Sequence, residues 1–192
     1  MTRTAYLALG ANQNSSLGSP RATLSHALIE LHEAVERQNE SLQLLSVSRF
    51  FQSPAFPPGS GPDFVNAVAA VETSLNAEGL LAHLHGVEAW ANRVRTGRWQ
   101  PRTLDLDLLA MGGEIAPDAE ELTRWITLPP EKQAKDAPER LILPHPRLQD
   151  RAFVLIPMAE IAPLWRHPLT GKTVAEMTED LSTAAKADLR PI

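Results

Sequence analysis

The 192-residue chain contains no cysteine. That excludes a disulfide framework and any thiolate metal site, and it fits a reducing compartment. The chain also lacks an apolar run long enough to span a bilayer. Its start, MTRTAYLALGAN, meets a polar turn too soon for a secretory leader. A cytoplasmic location without a membrane partner is therefore expected. Nor is there an excess of positive charge, since 18 Lys+Arg against 23 Asp+Glu leave a formal net charge of −5. Such a balance argues against non-specific binding of nucleic acid. Most of the negative charge is local, with seven acidic side chains against three basic ones in residues 114–139. The rest of the composition is ordinary for a globular protein, and the length suits one domain over 1–192.

Two apparent motifs dissolve on inspection. TGKT (170–173) resembles the tail of a phosphate-binding loop, but Arg166 stands where the leading glycine belongs and no strand precedes it. His83 and His85 lie two apart on a helical stretch, so they point to different faces and make no metal pair.

What the chain does have is one basic block. RVRTGRWQPR places Arg93, Arg95, Arg98 and Arg102 within ten residues, and Gly97 and Pro101 make that segment irregular. It runs directly into RTLDLDLLAMGG (102–113), whose period-two alternation ends at Gly112-Gly113 and reads as a β-strand closing in a turn. Leu104, Leu106 and Leu108 then share one face, and Asp105, Asp107 and Leu109 the other. The two aspartates would stand roughly 6.5–7 Å apart at Cα. Like charges so close on an apolar strand are costly unless something cationic compensates them. A solvent-facing strand edge with a surface ion-pair network accounts for these residues. So does a phosphoryl-transfer site, which needs positioning and charge neutralisation more than covalent chemistry. A pair of hard oxygen ligands suits Mg²⁺, held by one or two carboxylates and the phosphates of a substrate.

Along the chain, Tyr6–Leu9 reads as a strand followed by a turn at Gly10-Ala11-Asn12. Ser19-Pro20 starts a helix that runs to about Arg37, with Leu24, Leu28, Leu31 and Val35 as its stripe. Leu42–Phe51 is a second strand, 53–63 a Pro/Gly loop, and Phe64–Thr73 a third strand. On that third strand Asn66 is a polar group in buried company and needs a partner. A helix from about Ala77 to Val94 precedes the arginine block, and the aspartate strand returns at Glu114-Ile115. The order β-α-β-β-α-β predicts an α+β fold with a ferredoxin-like antiparallel sheet flanked by helices, which such an arrangement places on one face. Residues 116–139 read as an irregular acidic insertion with at most one helical turn near Leu122–Ile126. Leu141–Leu143 reads as a further strand. Residues 144–163 form a loop leading into a helix, and a short helix over Val174–Leu181 closes the fold.

Taken together, GAN after the first strand, PDFVNAVAAVET, GRWQPRTLDLDLL and PHPRLQDRAFVLIPMAEIAP resemble the 6-hydroxymethyl-7,8-dihydropterin pyrophosphokinases of folate biosynthesis. The resemblance covers about 4–113 and 140–170. It implies Mg²⁺-dependent transfer of diphosphate from ATP, the co-substrate, to the pterin's hydroxymethyl group, leaving AMP. It further implies that Asp105 and Asp107 hold two Mg²⁺ ions, and that Arg93 and Arg102 contact the phosphates. Arg95, Arg98 and Trp99 match loop positions near the nucleotide, although that tryptophan could simply bury loop surface. Ser53, Pro54, Phe56, Phe64, Asn66 and Phe153 match the pterin pocket, with the two aromatics Phe64 and Phe153 sandwiching the ring. Glu88, Leu108, His145 and Arg151 match nucleotide-contacting positions, although Glu88 also reads as an ordinary exposed helical residue. A monomer with ATP and a reduced pterin as its partners is expected. A two-metal phosphohydrolase or a non-catalytic pterin or nucleotide carrier are the other readings of these residues. The resemblance is silent on 116–139. That segment's acidic balance would repel a polyphosphate, so it is expected to stand outside the site.

Overall fold

The computed structural model of the chain describes residues 2–36, 40–55, 59–91, 102–133 and 136–192. At its centre is β1 (Arg3–Ala11), whose burial alternates residue by residue as expected for a strand with one face in a core. On one side β1 pairs antiparallel with β4 (Phe64–Thr73), in register from Arg3↔Thr73 to Ala11↔Val65. On the other it pairs antiparallel with β5 (Asp105–Met111). β2 (Leu42–Val47) and β3 (Phe51–Ser53) lie on the far side of β4, and the strand order is β5-β1-β4-β3-β6 with β2 also on β4. β6 is the short Arg190–Pro191 strand. This is the ferredoxin-like arrangement expected from the element order.

α1 (Pro20–Glu36) and α2 (Ala77–Trp90) cover one face. Their stripes, Leu24, Ala27, Leu31 and Val35 with Leu80, Leu84 and Val87, bury against Leu7, Leu9, Val71, Leu106 and Leu108. Both helices start where the sequence provides a cap: Ser19 Oγ accepts from Ala22 N–H, and Asn76 Oδ1 from Gly79 N–H. The other face is covered too, which corrects the one-sided expectation. α5 (Ala152–Ile161) and α6 (Val174–Asp180) bring Val154, Leu155, Met158, Val174 and Met177 onto Val68 and Leu109. The sequence AFVLIPMAEI is apolar almost throughout, so it has no stripe that would announce a buried face.

Five further expectations change. The single strand over Leu42–Phe51 is two, because Ser48 Oγ takes the Val68 N–H and the next residue, Arg49, is fastened to Glu160 of α5 through its backbone N–H (2.9 Å) and Nε (2.7 Å). Glu114-Ile115 makes no hairpin return and 141–143 no strand, since Ala116 and Leu143 form one isolated bridge with each other. The segment read as irregular carries two helices, α3 (Ala119–Ile126) and α4 (Pro130–Gln133). Val174–Leu181 is not the last element either, being followed by α7 (Thr183–Ala187) and by β6 on β3. No helix among the described residues is long and apolar enough to cross a membrane.

α2 also guards the outer edge of β5. Glu88, only 2% exposed, accepts the Leu106 N–H at 2.8 Å through Oε1, so it is not an ordinary surface residue. Glu88→Ala would leave that buried N–H without its acceptor and should destabilise the protein by about 1–3 kcal/mol. Glu88→Gln, which keeps an acceptor oxygen, should cost much less. Urea unfolding midpoints check this, and equal losses in the two variants would mean that the hydrogen bond is not what matters.

Candidate active site

α5 and α6 cover only part of the second face. The register shows what they leave open. Asn66 and Asp105 flank Gly10 across β4-β1-β5, and Asp107 lies opposite Ala8. A Cβ on Gly10 would stand 3.5 Å from Asn66 Oδ1 and 4.0 Å from Asp105 Cβ, so the glycine keeps the floor between them low. Gly10 and Ala11 belong to β1, not to a turn.

Two cavities meet on this floor. The smaller, of about 290 Å³, is bounded by Ser53, Pro54, Phe64, Asn66 and Phe153. Asn66 has the partner that its burial requires, donating through Nδ2 to Ser53 Oγ at 2.9 Å. Phe153 lies in the first turn of α5 and is 37% exposed, and the Arg151 guanidinium lies 5.6 Å from its ring centroid. The larger cavity, of about 630 Å³, has Glu88 and Leu108 in its wall. Arg102, Asp105, Asp107, His145 and Arg151 line both. Both volumes fall in or close to the range of small-molecule sites.

Each aspartate has a guanidinium beside it. Arg102 Nη1 is ion-paired with Asp105 Oδ2, and Arg151 Nη1 lies 3.4 Å from Asp107 Oδ2. The cationic compensation demanded by the two carboxylates is thus present in the fold. The Arg102 backbone is itself held by Asn12, a buried side chain whose Oδ1 accepts the Arg102 N–H at 2.7 Å. The Asn12 Nδ2 donates to Pro62 O on the loop beside the smaller cavity. Sequence reasoning passed over Asn12, whose signal was the GAN tripeptide.

His145 follows from the same kind of bookkeeping. Its N–H donates to Leu109 O at 2.7 Å, which fixes the residue to β5. Its Nδ1 accepts the Arg147 N–H at 3.1 Å, so a neutral ring carries its proton on Nε2. Burial first, then the nearby Arg151 and Arg147 cations, push its pKa down to about 3. The ring is a neutral hydrogen-bond donor at any physiological pH.

Asp105 and Asp107 are the acidic pair of the cleft. Among the described residues no three His, Asp or Glu side chains converge as a metal cage. Two carboxylates on an open floor fit Mg²⁺ nonetheless, because that ion is commonly held by one or two carboxylates with substrate phosphates and water. Phe56, Arg93, Arg95, Arg98 and Trp99 lie outside the described residues. The expectation that 116–139 stands away from the site does not hold, because Trp125 and residues 136–139 form part of the wall of the larger cavity.

An antiparallel ferredoxin-like sheet with two cavities converging on paired carboxylates and guanidiniums has the layout of a group-transfer enzyme for two small substrates. Comparison with known proteins gives the family. A profile of 7,8-dihydro-6-hydroxymethylpterin-pyrophosphokinase matches residues 6–163, and the chain belongs to this family of transferases. It is 39% identical over 168 residues to the 2-amino-4-hydroxy-6-hydroxymethyldihydropteridine pyrophosphokinase of Pseudomonas aeruginosa, covering 88% of this chain and 86% of that one. Identity to the enzyme of the same name from Synechocystis is 32%, over 97% of this chain and 80% of the relative. Among solved structures, a Plasmodium falciparum HPPK-DHPS with pterin and p-hydroxybenzoate superposes with a TM-score of 0.66 at 12% identity. That match extends over all of this chain but only 48% of the other, so this chain spans about half its length and the likeness speaks for the fold.

The depressed His145 pKa has a consequence for stability. Once unfolded, its imidazole takes up a proton near pH 6.5, whereas the folded ring stays neutral down to about 3. Between those values the unfolded chain binds more protons, so stability falls as pH falls through that window. Burial also lowers the pKa of His167, which acts in the same direction. His145→Gln should therefore lose melting temperature less steeply than the parent between pH 7 and 5. Parallel slopes for the two proteins would contradict this account.

Proposed function

We propose that this protein transfers the terminal diphosphate of ATP to the hydroxymethyl oxygen of 6-hydroxymethyl-7,8-dihydropterin, giving AMP and the pterin diphosphate, as a step of folate biosynthesis. The observation that carries this reading is the meeting of the two cavities at Asp105 and Asp107. The smaller suits a flat bicyclic ring, with Phe64 and Phe153 to stack on it and Asn66 to bond its edge. The larger suits the nucleotide, with Glu88, Leu108, His145 and Arg151 along it. The acceptor hydroxyl enters from one side and the polyphosphate from the other, and this positioning supplies much of the catalysis.

Asp105 and Asp107 would hold Mg²⁺, two ions by family resemblance, and such ions when bound neutralise polyphosphate charge. Arg102 and Arg151, each beside one aspartate, supply donors for phosphate oxygens, and His145 offers its Nε2–H. The hydroxyl oxygen forms a bond to the β-phosphorus while the bond from that phosphorus to the α–β bridging oxygen breaks. AMP leaves with the electron pair, and the hydroxyl proton goes to solvent. A phosphohydrolase is less well supported, because water needs no aromatic pocket. A monomeric cytoplasmic enzyme completes the reading.

Incubated with ATP, Mg²⁺ and the reduced pterin, the protein should yield AMP and pterin diphosphate in equal amounts, without ADP. Asp105→Asn and Asp107→Asn should each lower kcat by about 100-fold or more, on the order of 3 kcal/mol. ADP as product would indicate an ordinary kinase, and inorganic phosphate with unmodified pterin a hydrolase. Undiminished turnover in both variants would move the reaction away from this strand.

Phe153→Ala and Phe64→Ala should each weaken pterin binding by roughly 1–3 kcal/mol and leave ATP binding nearly intact. Calorimetry of each ligand separately reads both effects. Parent-like pterin affinity in the two variants would dismiss the sandwich.

A further inference from the structure

Trp125 lies outside the four sequence motifs quoted for the family resemblance, although within the 6–163 span that the profile matches, and it lines the larger cavity. The segment that bears it is built on a fixed base. Ala116 and Leu143 exchange backbone hydrogen bonds of 3.0 Å each, which ties the two ends of the segment together beside β5. Asp118 caps α3 through the Glu121 N–H at 2.8 Å, and Leu122 is fully buried. The indole is oriented in turn. Its Nε1–H donates to Glu121 Oε1 at 2.9 Å, Arg124 reaches the same oxygen at 2.5 Å, and the Arg124 guanidinium lies 5.8 Å from the indole centroid. A ring held by a hydrogen bond and a cation–π contact has less rotamer freedom to lose on binding.

The cavity wall mixes charge with apolar surface. Arg102, Arg151 and the two aspartates line it together with Arg140 and Arg147, and Trp125, Leu108 and Ile142 contribute the apolar part beside the exposed Asp136 and Glu139. The guanidiniums favour a polyanion, while the indole and the aliphatic side chains favour a flat uncharged ring. A ligand with a polyanionic tail and an aromatic head uses both kinds of lining.

We propose that Trp125 is a nucleotide-specificity residue, the surface on which the base of ATP stacks while its phosphates reach Asp105 and Asp107. The inference rests on the nucleotide assignment above and extends it to a residue outside the family-like motifs. It makes the acidic insertion a working wall of the site.

The test compares MgATP with magnesium tripolyphosphate, which has the anionic tail and no base. Calorimetry should show Trp125→Ala binding MgATP about tenfold more weakly than the parent, with Trp125→Phe close to the parent. Tripolyphosphate should bind the parent and both variants alike. In the steady state the KM for ATP should rise in Trp125→Ala while kcat and the KM for the pterin stay unchanged. Unaltered ATP affinity in Trp125→Ala overturns the proposal, and so does an equal loss for ATP and tripolyphosphate, which would mark a structural role. Should the alanine variant fail to fold, a Trp125→Leu variant that binds MgATP like the parent overturns it as well. A parent protein that binds tripolyphosphate and MgATP equally well would remove base recognition and leave the phosphate site standing. A parent that binds neither would remove the nucleotide assignment itself, and this inference with it.

Discussion

The carboxylates of Asp105 and Asp107 leave one face of β5 while Leu106 and Leu108 leave the other, and much else in the molecule serves that division. A slip of one residue would drive both charges into the core beneath α1 and α2 and bring the leucines to the surface. The register is therefore held from both sides. β1 pairs Leu9 with Leu106, and on the outer edge Glu88 takes the Leu106 N–H between the two aspartates. Three residues further on, His145 N–H takes the Leu109 carbonyl. An edge strand that presents charge on one face cannot be left to find its own register, and this edge is tied down at two points.

The second constraint is coverage. A sheet with helices on one face only would leave Val68 and Leu109 in water. A sheet fully covered on both would have no place for a polar floor. α5 and α6 bury the apolar part of the second face and end where Gly10, Asn66 and the aspartates begin. Phe153 and Arg151 stand at that boundary, at the start of α5, so the same helix closes the core and supplies an aromatic and a cationic wall to the cleft.

Much of this was legible in the residues. The alternation at the start of β5 and the stripes of α1 and α2 are one-sided patterns, and with the apolar run of β4, buried on both faces, they pointed to the sheet, its first face and the location of the acidic pair. Less legible were the parts whose sequence has no contrast. α5 is apolar on every side, so its burial could be read but not its partner. The break between β2 and β3 depends on Ser48 and Arg49 finding Val68 and Glu160, contacts about 20 and 111 residues away in the chain. α3 is short, flanked by prolines and acidic, and composition pointed it away from an anion site. Its single buried leucine and its fixed indole are visible only once the ends of the segment are seen to meet at Ala116 and Leu143.

Asn12 shows why the two halves of the cleft are one site. Its amide is buried, so both its oxygen and its nitrogen need partners, and it takes them from different segments: the Arg102 N–H and the Pro62 carbonyl. Arg102 is the ion-pair partner of Asp105, and the 59–63 loop runs into Phe64 beside the smaller cavity. Displacing either segment would strand one end of a buried amide, and that cost falls on the whole network and not on one contact. The backbones that position Arg102 and Phe64 are thereby held to a common point at the end of β1. On the function proposed above, two substrates bound by different chemistry must meet within bonding distance. A shared buried anchor fixes the relative placement of the two cavities that would hold them.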